Sequence, residues 1–266
     1  MEKETFKLTG KWTNPKVESS LEAAGLLDIE SVIKREFDWF EAPNRRRGGW
    51  SGVTKIVLNP DAKQSEQIAV FLKIQQNHFY IAPNTYLIKR LTFEREFAAM
   101  QALRPHSDAI PQVVMFAKWQ ENGNQGSILV TKALDEWIPL RPWLLGELDL
   151  PLPDKETLHR VLEAIAQTAR EINQAGWIHM CFSAKHLFVK EQLDGIFAVR
   201  VVDLEKTRKR IGQGRRTLKD CSHFLRHTPN LNDSDKTHFL KAYFETDDFS
   251  TAQKALISKM RGAPKI

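Results

Sequence analysis

The feature of this 266-residue chain that most limits its fold is a change of hydrophobic period at Pro151 and Pro153. Before it, apolar residues fall in short runs broken by turn residues. These are "WSGVTKIVL" and "QIAVFLKIQ" around the turn-rich "NPDAKQSE", then "QVVMFAKWQ", the turn "ENGNQG" and "SILVTKAL". Such runs, bounded by Gly, Pro, Asn and Asp, predict strands. After it, Leu158, Leu162, Ile165, Ala169 and Ile172 recur at steps of three and four, one apolar face of a helix. Gly176 follows where a helix C-terminus takes a glycine. Helical patterns interrupt the first half in "SSLEAAGLLDIESVIKREFDWFE", with a break near Gly25, and from Thr92 to Leu103. The second half carries a hairpin and further helices such as "SDKTHFLKAYFE". This order predicts a two-lobed α+β fold, divided into residues 1–134 and 135–266.

The hairpin joins "KHLFVKEQL" to "IFAVRVVD" through Asp194-Gly195, a dipeptide favoured in two-residue β-turns. With that turn Leu193 opposes Ile196, and counting back along both strands sets His186 opposite Asp203. Directly opposed residues have Cβ atoms about 5 Å apart. A neutral imidazole and a carboxylate that close suit either a shared divalent cation or an ordinary His–Asp hydrogen bond; the residues alone leave both open.

Charge narrows the partners. The net charge is +6, and cations bunch at Arg45, Arg46 and Arg47 and again in "EKTRKRIGQGRR". Such runs suit a nucleotide, a nucleic acid or an anionic membrane surface, or form solvated loops. No recognition motif for nucleic acid accompanies them, so that partner is not expected. No run approaches the roughly 20 apolar residues that span a bilayer. The two cysteines, Cys181 and Cys221, have no metal or redox spacing, which predicts a reducing, cytoplasmic location. Cys221, His223 and His227 complete no tetrahedral zinc spacing and read as helix packing.

Taken in order, "VFLKIQQNH", "LTFEREFAAMQAL", "GSILVTKAL", "GWIHMCFSAKHLFV", "VVDLEKTRKR" and "LKDCSHFLR" resemble the protein-kinase-like superfamily. Within it they resemble the lipopolysaccharide core kinase group of Gram-negative bacteria (InaA/WaaP type), from about Arg45 to Phe244. The resemblance implies a bilobal fold with a strand-rich N-lobe, one αC-like helix and a helical C-lobe. It implies ATP and Mg²⁺ as cofactors and a sugar hydroxyl of the lipopolysaccharide core as acceptor. Peripheral contact with the cytoplasmic face of the inner membrane goes with such an acceptor.

Carried over by residue, Lys73 resembles the strand lysine that reaches the α- and β-phosphates. Phe93, Phe97, Met100 and Leu103 define the buried face of its neighbouring helix. Glu96 lies about 60° from the centre of that face and Glu94 about 100°, so Glu96 is the expected carboxylate partner of Lys73. His186 takes the place of the second metal ligand and Asp203 that of the D-F-G aspartate, while Asp220 resembles the helical aspartate that holds the catalytic loop. Gly48, Gly49 and Gly52 stand where a phosphate-cradling loop belongs, without its G-x-G-x-x-G spacing. At the catalytic base stands Cys181, preceded by Met180; Lys185 and His179 are the neighbours expected to lower its pKa, and His179 is itself a candidate base. These departures leave two readings: a kinase, or a pseudokinase that binds nucleotide or partners in an envelope or stress role.

Overall fold

The structure, a computed structural model, describes residues 6–46, 48–63, 66–81 and 88–266; Arg47 and part of "NPDAKQSE" lie outside them. The chain divides into two compact units. One comprises Met1–Gln101 and Gln112–Asp135, the other Ala102–Pro111 and Glu136–Ile266.

The first unit is built on a six-stranded antiparallel sheet. Its elements are β1 (Lys7–Thr13), α1 (Glu18–Ala23), α2 (Ile29–Lys34), β2 (Glu41–Arg46), β3 (Gly49–Val57), β4 (Ala69–Gln76), β5 (Phe79–Ile81), β6 (Lys89–Leu91), α3 (Thr92–Leu103), β7 (Val113–Glu121) and β8 (Asn124–Lys132). The strand order is β1-β7-β8-β4-β3-β2, with β5 and β6 as a separate small pair. Alternation along β4 sorts its side chains onto two faces. Val70, Leu72 and Ile74 are buried against Leu21, Leu26, Ile29 and Val32 of the α1–α2 region. Lys73 points to the other face, where α3 lies: Phe97 of α3 stacks on Phe116 of β7 with centroids 4.4 Å apart, and Glu94 reaches Lys118 of β7 at 3.1 Å.

Two features differ from the sequence reading. β1 pairs with β7, a strand that the polar opening "FKLTGKW" conceals. The helical pattern expected to run to Glu41 stops at Lys34, and Glu41–Arg46 becomes an edge strand paired with β3. Gly25, at φ 68°, makes the break between α1 and α2.

The second unit contains β9 (Ile138–Pro139), α4 (Leu140–Leu145), α5 (Lys155–Gln174), β10 (Trp177–Ile178), β11 (Leu187–Glu191), β12 (Phe197–Val201), β13 (Arg208–Lys209), α6 (Gln213–His227), α7 (Asp233–Phe244) and α8 (Thr251–Ile257). Helix α5 starts where the Asp154 carboxylate accepts the Thr157 N–H at 2.7 Å. It buries Val161, Leu162, Ile165, Ala169 and Ile172, and gives way at Gly176, φ 90°. Ala102–Pro111 joins this unit because the Val201 N–H donates to the Ala109 carbonyl at 2.9 Å, tying the segment to β12. Among the described residues no helix is long and apolar enough to cross a membrane.

The three glycines singled out in the sequence have local structural reasons. Gly48, at φ 76°, turns the chain between β2 and β3. A Cβ on Gly49 would stand 2.4 Å from the Asn77 carbonyl oxygen, and one on Gly52 2.6 Å from the Trp39 ring. Trp39 is itself held edge-on by Trp50. Gly52→Ala is therefore expected to lower stability by about 1–3 kcal/mol, the cost of forced overpacking, seen as a lower unfolding temperature with unchanged secondary structure.

Candidate active site

In the first unit, Lys73 Nζ lies 2.8 Å from Glu96 Oε1. Glu96 is 1% exposed and Lys73 is itself mostly covered, so the carboxylate is fixed in the interior with the ammonium against it. A buried carboxylate needs such a partner, since an unpaired charge there is costly. The Phe93 ring centroid lies 5.8 Å from the same ammonium.

In the second unit the chain between α5 and β11 forms a loop held from below by α6. The Asp220 carboxylate, on α6 and fully buried, accepts the backbone N–H of His179 at 2.9 Å and that of Met180 at 3.0 Å. It also accepts from the Asn173 amide at 2.9 Å. Asn173 then accepts the Tyr243 hydroxyl hydrogen at 2.9 Å. These contacts position a loop whose Met180 sits at φ 72°, a conformation that side chains rarely adopt. Sequence reasoning missed Asn173 and Tyr243. Their polar groups sit on apolar helix faces, and that is the signal that could have found them.

His179 is fully buried. Its Nε2 lies 3.1 Å from the Val202 carbonyl, which can only accept, so Nε2 carries the hydrogen. Nδ1 is then a buried acceptor with no partner among the described residues. Burial, with His186 nearby, lowers the His179 pKa from 6.5 to about 4. Burial raises that of Asp220 from 3.8 to about 6, against the pull of the donors it accepts from. The two act oppositely on stability. Between pH 4 and 6.5 an unfolded chain takes up the His179 proton and the folded one does not, so this group's stability is lost as pH falls. Asp220 keeps its proton in the fold, and its stability is lost as pH rises through about 6. His179→Phe removes the first effect. Relative to the parent, the variant is expected to gain about 3 kcal/mol as pH falls from 6.5 to 4, read from unfolding curves at each pH.

The hairpin corrects the expected register. Leu187 pairs with Val201 and Glu191 with Phe197, and the Val202 N–H donates to the His186 carbonyl at 2.9 Å. His186 therefore opposes Val202, not Asp203. The turn is a three-residue loop rather than two: Gly195 N–H donates to the Gln192 carbonyl at 3.0 Å, and Gln192 N–H to the Ile196 carbonyl at 2.8 Å. Gly195 sits at φ 77°, and the Asp194 carboxylate accepts the Ile196 N–H at 3.1 Å. This is the turn followed by a left-handed residue that three-residue hairpins use. Leu193 is left fully exposed at the tip instead of facing Ile196.

His186 and Asp203 nevertheless meet, at 3.2 Å between Nε2 and Oδ2. Asp203 has left the strand and sits at φ 62°, ψ 57°, which swings its carboxylate back to the imidazole. His186 Nδ1 lies 2.8 Å from the Cys181 carbonyl and must donate to it. Nε2 then either carries a second hydrogen or faces the carboxylate with its lone pair, and two acceptors at that distance call for a cation. Adjacent ligands of an octahedral Mg²⁺ at about 2.1 Å stand about 3.0 Å apart, so the pair fits two such positions. No group of three metal-ligating side chains occurs among the described residues. Mg²⁺ tolerates this, because water and phosphate oxygens normally complete its shell.

Cys181 is half-buried, and burial chiefly raises its thiol pKa, with Asp203 and Glu205 adding to the shift. The cation that opposes the shift is Lys206, not Lys185 or His179 as the sequence suggested. Lys185 is exposed in the turn Ala184–His186. Lys206 was visible in the sequence only as one member of a basic run.

A strand lysine paired to a helix acid, and a loop pinned by a buried aspartate ahead of a His–Asp contact, are the arrangement expected of the protein-kinase-like class. A solved structure described as WaaP in complex with acyl carrier protein shares the fold, with a TM-score of 0.62 over 89% of each chain at 18% identity. Residues 30–243 match the lipopolysaccharide kinase (Kdo/WaaP) family, and the chain belongs to it. Protein InaA of Escherichia coli (strain K12) is 25% identical over 209 residues, covering 79% of this chain and 91% of that relative.

Proposed function

We propose that the chain transfers the γ-phosphoryl group of ATP to a sugar hydroxyl of the lipopolysaccharide core. The observation that carries this reading is the His186–Asp203 contact at 3.2 Å, a pair that a Mg²⁺ ion could share when Nε2 presents its lone pair. Mg²⁺ held there would neutralise charge on the triphosphate. Lys73, oriented by Glu96, takes the phosphate-binding role of the superfamily's strand lysine. The acceptor oxygen bonds to the γ-phosphorus as the bridging P–O bond breaks, ADP leaves with the bonding pair, and the hydroxyl proton passes to solvent or to the transferred phosphate. Cys181, held as a thiol, is a weak acceptor for that proton. His179 is too deeply buried to touch a substrate and instead positions the loop. Catalysis then rests on positioning and charge neutralisation, which dominate phosphoryl transfer. An acceptor of this kind places the protein on the cytoplasmic face of the inner membrane.

Met180 and Cys181, standing where the superfamily carries its catalytic arginine and aspartate, favour a second reading, a nucleotide-binding pseudokinase. ADP release measured with Mg·ATP and core oligosaccharide separates the two. Turnover that needs both metal and oligosaccharide supports the kinase. A rise in unfolding temperature with Mg·ATP but no turnover supports the pseudokinase, and neither response overturns both.

A further inference from the structure

The second unit holds a concavity of about 490 Å³ beside the loop that Asp220 pins. Arg208, Arg210, Arg215, Arg226, Lys259 and Arg261 line it, Lys219 also contributes, and no carboxylate does. These seven cations exceed by one the formal excess of the chain, since 39 Lys and Arg less 33 Asp and Glu is 6. The remaining surface is close to balanced. Nine Lys or Arg ion pairs and three His–carboxylate contacts occur elsewhere among the described residues, yet none involves these seven side chains. Leaving so many cations together without counter-charge disfavours the fold unless a bound anion compensates.

The segment that carries them is braced rather than loose. Arg216, from the same basic run, donates to the Asn173 and Arg210 carbonyls and to the Gln213 side chain, fixing the turn that leads from Arg210 into Arg215 of α6. The Arg261 N–H donates to Ser222 at 3.2 Å, which holds the C-terminal segment against α6. Arg208 reaches the Met180 sulfur at 3.5 Å, and His223 donates to the Phe182 carbonyl at 3.1 Å. The wall of the concavity and the Met180–Phe182 loop are thus one piece. Ile178 and Leu218 supply an apolar part to the lining. A concave space of this volume suits a compact ligand of one or two rings better than a nucleic-acid strand or a bilayer surface.

We propose that this concavity binds a phosphomonoester on the acceptor, so that the protein acts on a saccharide that already carries phosphate. The acceptor part of this statement rests on the kinase reading; the anion site does not. Arginine suits the ligand because its planar fork pairs with two phosphate oxygens at once. A reaction that phosphorylates the saccharide must then precede this one.

The test is calorimetric titration of the full chain with a hexose bisphosphate, the unphosphorylated hexose, and vesicles containing anionic phospholipid, all without nucleotide. The bisphosphate is expected to bind and the neutral hexose not to bind. In Arg215→Gln/Arg261→Gln, two exposed positions whose loss does not lower the unfolding temperature, affinity falls more than roughly tenfold, as losing two charge-assisted contacts requires. Lys16→Gln/Lys155→Gln, which removes equal charge elsewhere, binds as the parent does. Equal weakening in the Lys16/Lys155 pair, no bisphosphate binding, or binding to vesicles alone each overturns the proposal. A protein that binds the bisphosphate in this way but turns over no acceptor keeps the anion site and refutes only the kinase reading.

Discussion

Replacing Asp220 by alanine is expected to cost about 3–5 kcal/mol of stability, the largest loss for any single polar side chain considered. The carboxylate is fully buried and accepts from the His179 and Met180 backbone and from Asn173. Removing it strands two buried donors and one part-buried donor, and a buried one carries a desolvation cost of about 1–3 kcal/mol once unmatched. Relaxation of the loop recovers part of that sum. Met180, held at φ 72°, has no reason to keep that conformation once its N–H is released. Chemical denaturation reads the loss, and amide exchange at His179 and Met180 localises it. Rapid exchange at those amides with an unchanged midpoint would show that the loop is not coupled to the core.

Asp203→Gly separates strain from function. Asp203 adopts a left-handed conformation that costs a residue with a side chain about 1 kcal/mol and glycine almost nothing. The variant is therefore expected to be at least as stable as the parent. It also lacks the carboxylate facing His186, and Mg²⁺-dependent stabilisation by ATP should vanish. Acceptor phosphorylation should fall a hundredfold or more, roughly the scale of losing one major electrostatic contact at a reacting centre. Asp203→Asn keeps the shape and loses the charge, and is expected to share the activity defect without the stability gain. Thermal shift with Mg·ATP alongside ADP release measures both. Full activity in Asp203→Gly would place the cation elsewhere.

Some of this was readable from residue types alone, because short-range rules determine it. Alternation along "VFLKIQ" separates Lys73 from Val70, Leu72 and Ile74, and the period of "FEREFAAMQAL" turns Glu96 inward, while Glu94, expected in solvent, is half-buried against Lys118. The burial of Asp220 was less legible, since an acid in "LKDCSHF" reads equally well as a surface residue until its backbone partners are known.

The amino-acid order by itself determined the succession of strands and helices apart from β1 and β2, the faces most of them bury and the family to which the chain belongs, because periodicity and turn chemistry act over a few residues. Only the tertiary structure decided how His186 and Asp203 meet. The loop at Leu193–Gly195 holds one residue more than the Asp-Gly signal suggests, which slips the register to His186 against Val202, and the left-handed turn at Asp203 brings the carboxylate back. It alone also gathered Arg208, Arg215, Arg226 and Arg261 from three separate segments into one concavity. The physical reason is the same in both cases: a one-residue shift in pairing, and the meeting of charges far apart along the chain, are set by packing, to which local propensity is blind.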